Sequence, residues 1–191
     1  MDRLDLQATL NRDSMSRGAG RVEKAILQAF GESGKSYTVE DLFFLAYPDA
    51  STMERKHRIA IKRACANVCD RTGWKTWRKD SRGGGYIYYD PCDVISYASA
   101  RIKGMETRYQ SHDPWIRRHN PMRDANIYAQ MTEGGRHYED VVEGGTWWKH
   151  ARMAQAKRDG DEALHQQLDE EIKADFAAWA GAFQRTFSKK S

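Results

Sequence analysis

The chain has 191 residues, 40% of them hydrophobic and 30% charged, a composition that excludes a largely disordered protein and allows one good-sized domain, or one of about 90 residues with a second element. No run of about 18 apolar residues occurs and the first twenty residues hold no apolar segment, so neither a membrane span nor a secretory signal is expected, and the expected location is cytoplasmic. Net charge is +4 but uneven: through Lys103 there are 18 Lys and Arg against 13 Asp and Glu, and the remainder is close to neutral.

Residues 1–18 are polar, show no sustained period and end in "SRGAG", which reads as a flexible arm. In "RVEKAILQAF", Val22, Ile26, Leu27 and Phe30 recur at helical spacing, with Gly31 and Gly34 positioned to stop the helix. "KSYT" is a short extended piece. Thr38 caps a second helix, "VEDLFFLAY", which Pro48 ends after about two turns. Ser51 and Glu54 stand in the spacing of a capping box, predicting a third helix over 51–71. At about 100° per residue, Met53, His57, Ala60, Ile61, Ala64 and Val68 fall on one side, and Arg55, Arg58, Ile59, Lys62, Arg63 and Ala66 on the other. Gly73 ends this helix. "WKTWRK" and "YIYY" then flank "DSRGGG" as the arms of a hairpin flank its tip, and Asp93 caps a fourth helix that stops at Gly104.

From 105 to 145 the pattern breaks into short pieces between Pro and Gly residues, predicting a linker with short helices. Periodicity returns over 146–191 as two helices broken at "RDGD". The second carries Leu164, Leu168, Ile172, Phe176, Trp179, Phe183 and Phe187 along one stripe, which needs a partner: Trp147, Trp148 and Met153 in a helical hairpin, a second copy of the chain, or another protein. The fold class is mainly α with a small β component.

The charge is concentrated where these elements meet. Residues 51–82 hold Arg55, Lys56, Arg58, Lys62, Arg63, Arg71, Lys75, Arg78, Lys79 and Arg82 against Glu54, Asp70 and Asp80. Helix, short strand, helix, turn, helix, hairpin is an order that resembles the winged helix-turn-helix family over residues 19–104. The resemblance implies a positioning helix at 39–47, a recognition helix at 51–71 and a wing at 74–90. It implies double-stranded DNA as partner, contacted by Arg55, Lys56, Arg58, Ile59, Lys62 and Arg63 from the helix and by Lys75, Arg78, Lys79 and Arg82 from the wing. A regulator of transcription, most simply a repressor, is the expected role. It would dimerise through the C-terminal helices, by Trp147, Trp148, Leu164, Leu168, Ile172, Phe176, Trp179 and Phe183, and be found in the cytoplasm or on the nucleoid. The alternatives are a replication or partition factor, or a protein-binding or inhibitory module on the same scaffold, of phage or plasmid kind.

Other chemistry has little support in the residues. Cys65, Cys69 and Cys92 are odd in number and lack a fourth ligand at zinc-site spacing, so they read as reduced thiols and no metal or cofactor is expected. His112 with Asp113, His119 with Asn120, and His137 with Glu139 and Asp140 match no known catalytic spacing, so no enzyme is expected.

Overall fold

Val22, Ile26, Leu27 and Phe30 close one face of α1 (Arg21–Phe30), with Ile26 and Phe30 buried. In the computed structural model, which describes residues 20–78, 85–109 and 121–188, with side chains except at 78, 106–109, 121–122 and 182–188, this helix is followed by β1 (Ser36–Thr38), α2 (Val39–Ala46), α3 (Arg55–Thr72), β2 (Lys75–Arg78) and β3 (Tyr86–Tyr89). The strands make one antiparallel sheet in the order β1-β3-β2, in register with Ser36 opposite Tyr89 and Trp77 opposite Ile87. The protein is mainly helical with this single small sheet among its described residues.

Two hydrophobic cores result. The first joins α1, α2, α3 and one face of the sheet through Ile26, Phe30, Leu42, Phe43, Ile61, Val68, Trp74 and Tyr88. Phe30 and Trp74 stack with ring centroids 4.0 Å apart, locking α1 against the start of β2. Thr38 and Asp41 form a reciprocal capping box at the start of α2: Thr38 N–H donates to Asp41 Oδ2 at 2.8 Å and Asp41 N–H to Thr38 Oγ1 at 3.1 Å. The capping box expected at Ser51 and Glu54 is displaced by one turn, so α3 starts at Arg55 and its box pairs Glu54 with His57. Packing decides the shift, because the His57 ring sits 4.6 Å from that of Tyr47 and 5.5 Å from that of Phe43, which fixes it in the helix's first turn. At the other end Gly73 closes α3 with φ at +76°, a left-handed conformation that costs glycine little and turns the chain into β2.

The second core is built by α4 (Val94–Tyr109), α5 (Pro121–Met131), α6 (Tyr138–Val141) and α7 (Thr146–Asp159), through Ala98, Ile102, Ile127, Met131, Val141 and Trp147. One expectation is corrected here. Gly104 does not end α4, which runs on to Tyr109; a Cβ at position 104 would meet the Trp77 ring at 3.7 Å, an ordinary van der Waals distance. The stretch expected as a linker with short helices holds α5 and α6, which pack on α4 and supply core residues, while residues 110–120 lie outside the described residues. The last helix, α8 (Glu162–Ser188), folds back along α7.

Lys103 joins the two cores. Its side chain lies on α4 and is 2% exposed as a residue; Nζ donates to Ser36 O at 2.6 Å and stands 3.5 Å from Asp41 Oδ2 and 3.3 Å from Asp124 Oδ1. Strand β1, the cap of α2, α4 and α5 therefore converge on one ammonium. Nearby, the Ser36 and Ser99 hydroxyls are hydrogen-bonded at 2.8 Å, and Gly34 N–H donates to Asp93 Oδ2 at 2.7 Å. Gly34 has φ of +71°, a left-handed conformation that favours glycine, and a Cβ there would meet the Tyr128 hydroxyl at 2.7 Å, so a side chain at this junction would also have to displace the Tyr128 ring end. Removing one partner of a buried charge cluster leaves the others uncompensated. Lys103→Met is expected to lower unfolding free energy by about 3 kcal/mol, read by urea titration; a midpoint equal to that of the parent would show that the cluster contributes nothing to stability.

Candidate nucleic-acid interface

The helix α3 shows its outer face in a stripe. Arg55, Ile59 and Arg63 follow one another at four-residue steps with Lys56 alongside, and all four are exposed, Ile59 at 41%. The stripe continues to Ala66 and Asn67, also exposed. Asn67 was not among the sequence candidates, although its place four residues after Arg63 could have suggested it.

The other two predicted helix contacts are engaged by the protein itself. Arg58 leans toward Glu40 of α2, with Nη2 3.8 Å from Oε1, and Lys62 lies over the Tyr86 ring at 4.7 Å. Both contacts tie α3 to its neighbours, and the Arg58 side chain remains 40% exposed. Arg71, in the last turn, hydrogen-bonds Glu23 of α1. A further cation arrives from outside the helix: exposed Arg21 at the start of α1 holds its guanidinium 5.1 Å from the Tyr47 ring, which itself contacts His57. No local pattern in the sequence pointed to Arg21, because tertiary packing alone places it near the start of α3.

The hairpin adds Lys75, exposed on β2. Lys79 and Arg82 lie outside the described residues, as does the Arg78 side chain. The hairpin aromatics are occupied within the chain: Trp74 and Tyr88 are buried, Trp77 carries the Arg101 guanidinium at 4.8 Å, and Tyr89 meets Tyr97 edge to face at 5.9 Å.

Electrostatics make the start of α3 unusual. The N-terminal end of a helix carries partial positive charge, so cations there are disfavoured by about 0.3 to 1 kcal/mol each. The first turn of α3 nevertheless carries Arg55, Lys56 and Arg58, with the Glu54 cap as its one acid against these three cations. Glu54 meets Lys56 at 3.1 Å, but both side chains are more than half exposed and such a pair contributes little. A bound anion would offset the repulsion.

The remaining candidates do different work. Trp147, expected at an intermolecular surface, is 7% exposed and stacks on His137, the residue that caps α6, with ring centroids 4.5 Å apart inside the second core. His137 also bonds Asp140 at 2.9 Å, while His112 and His119 lie outside the described residues. Trp148 is half-buried beside Arg152. On α8, Leu168 is buried, Leu164 and Ile172 half-buried, and Phe176 and Trp179 are 67% and 60% exposed; the side chains of Phe183 and Phe187 lie outside the described residues.

Among the described residues no group of three His, Cys, Asp or Glu could hold a metal ion. Cys65 is fully buried on α3 and burial pushes its thiol up to about 12, against about 11 for half-buried Cys92. Thiolate is the reactive form. In native protein at neutral pH, a thiol reagent is therefore expected to modify Cys65 last, at the rate of unfolding, as followed by mass spectrometry of peptides; labelling of Cys65 ahead of Cys92 would contradict its placement. Comparison of the chain with protein-family models, curated proteins and solved structures gives no match, so a function must be argued from the residues themselves.

Proposed function

We propose that the N-terminal half is a winged helix-turn-helix that binds double-stranded DNA, with the outer stripe of α3 in the major groove and the β2–β3 hairpin against the backbone. Regulation of transcription is the role such a module would serve. The observation that carries this reading is the cluster of cations at the start of α3, three of them against the single Glu54 cap and set against the helix's own dipole. Phosphate is the anion that such an arrangement suits, and it would relieve the repulsion among Arg55, Lys56 and Arg58.

The element order and the sheet order β1-β3-β2 support the reading, because they set the hairpin beside α3 with Lys62 bridging the two. Arg55 and Arg63 are long and exposed enough to reach base edges or phosphates, and Ile59 between them offers an apolar contact for a thymine methyl. Arg58, held lightly by Glu40 in a partly exposed pair, exchanges one oxygen ligand for another when a phosphate arrives.

The test is fluorescence anisotropy on a pool of random duplexes across a salt series, with Arg55, Lys56 and Arg63 replaced together by Ala. Each neutralised phosphate contributes about 0.9 to the log-log slope. The triple variant is expected to lose about two to three units of slope and at least about tenfold in affinity at low salt, while Lys173→Ala on α8 matches the parent. Equal slopes for parent and triple variant would remove α3 from the binding surface.

A further inference from the structure

Two arginines of the second half of the chain reach the hairpin. Arg101 of α4 holds its guanidinium 4.8 Å from the centre of the Trp77 ring, so β2 is seated on α4 through that residue. Arg158, in the last turn of α7, reaches the other end of the hairpin. Its Nη2 donates to Asp90 Oδ1 at 3.0 Å, and a Cβ at Gly73 would meet Nη2 at 3.6 Å and Nε and Cζ at 4.0 Å.

Gly73 and Asp90 are the two roots of the hairpin. Gly73 follows α3 shortly before β2 begins, Asp90 directly follows β3, and the pair Lys75 and Tyr89 opens the register between them. One guanidinium thus spans the points where the chain enters and leaves the hairpin. Both roots are themselves held: Gly73 N–H donates to Cys69 O at 2.9 Å, Asp90 N–H donates to Ser96 Oγ at 2.9 Å, and Asp90 Oδ1 also accepts from Cys92 N–H at 3.0 Å. The Asp90 side chain is 16% exposed and gives Arg158 a carboxylate of fixed direction, whereas the Arg158 side chain is 42% exposed, and a pair of that kind contributes little to stability. What it supplies is direction, because a planar guanidinium bound to one carboxylate and laid beside one backbone turn has few arrangements that satisfy both. The four residues of β2 span about 13 Å, so a tilt of about 10° at the root carries the far end about 2 Å, farther than a hydrogen bond to phosphate tolerates.

We infer that Arg158 is a positioning residue for duplex binding, which sets the angle of the hairpin through Asp90 and Gly73 and so ties the grip of the N-terminal half on DNA to helix α7. The inference rests on the reading of α3 and the hairpin as a DNA surface. It differs in sign from a direct contact between Arg158 and phosphate. Were Arg158 a phosphate ligand, removing Asp90 would free it and raise the net charge by one, and binding would tighten. A positioning Arg158 needs Asp90, and the same substitution weakens binding.

Anisotropy of the full chain on the random duplex pool at low salt tests this with Arg158→Gln, Asp90→Ala and the two together, each checked for the parent's circular dichroism. Arg158→Gln changes a partly exposed side chain and is expected to fold as the parent does. It should bind about fivefold more weakly, and Asp90→Ala about fivefold more weakly despite its added positive charge. The double variant should bind no more weakly than either single one, since two residues that act through one contact are not additive. Arg158→Gln at the parent's affinity, Asp90→Ala at or above it, or a double variant weakened by the product of the two would each overturn the positioning role, while the parent's own binding keeps the DNA reading. A parent that does not bind the pool overturns both.

Discussion

An ammonium taken out of water needs its hydrogens met, and Lys103 meets them with groups from three different parts of the chain: the Ser36 carbonyl, Asp41 and Asp124. That requirement couples otherwise separate events. The Asp41 carboxylate near the ammonium is the one that caps α2, and the Ser36 carbonyl belongs to the strand that leads into that helix. Asp124 comes from α5, across the second core. The position of α2 relative to α4 and α5 is thus fixed by charge and hydrogen bonding at one point, where apolar contact alone would allow sliding.

The placement of α3 follows from the same frame. Phe43 of α2 and Tyr47, the residue that caps its end, seat His57, which sets where α3 begins and so which residues fall in its first turn. With Glu54 as the cap, Arg55 and Lys56 stand at the exposed entrance of the helix. Ile61, Cys65 and Val68 bury the opposite face, which leaves Ile59 and Arg63 turned outward. Glu40, one residue before Asp41, holds Arg58 loosely, and Tyr86 of the hairpin holds Lys62. The cationic surface is therefore an outcome of core packing beneath it.

Helical periodicity carried most of the first core: Ile26, Phe30, Leu42, Phe43, Ile61 and Val68 stand at the spacings that burial requires. The division of α3 into a buried and a cationic face was legible for the same reason, and the hairpin from its aromatic arms and glycine tip. The start of α3 was misplaced because two capping boxes compete within four residues, and aromatic packing around His57, which is nonlocal, chooses between them. The second core was illegible since Ile127, Met131 and Val141 come from short helices whose apolar residues are too few to show a period. Lys103 looked like any surface lysine, because its partners lie far from it in the sequence. The burial of Trp147 was not legible, because it rests on His137 at the cap of α6, and that packing is set by the tertiary fold.

The claim on which the functional account turns is that the outward stripe of α3 is a nucleic-acid surface while the far end of α8 is not. Backbone amide and arginine Nε–H chemical shifts of isotope-labelled protein, titrated with a short random duplex at low salt, read both regions in one experiment. The account predicts shifts concentrated at Arg55, Lys56, Ile59, Arg63 and Lys75, with Phe176 and Trp179 unmoved. Shifts confined to α8, or none at α3, would contradict it.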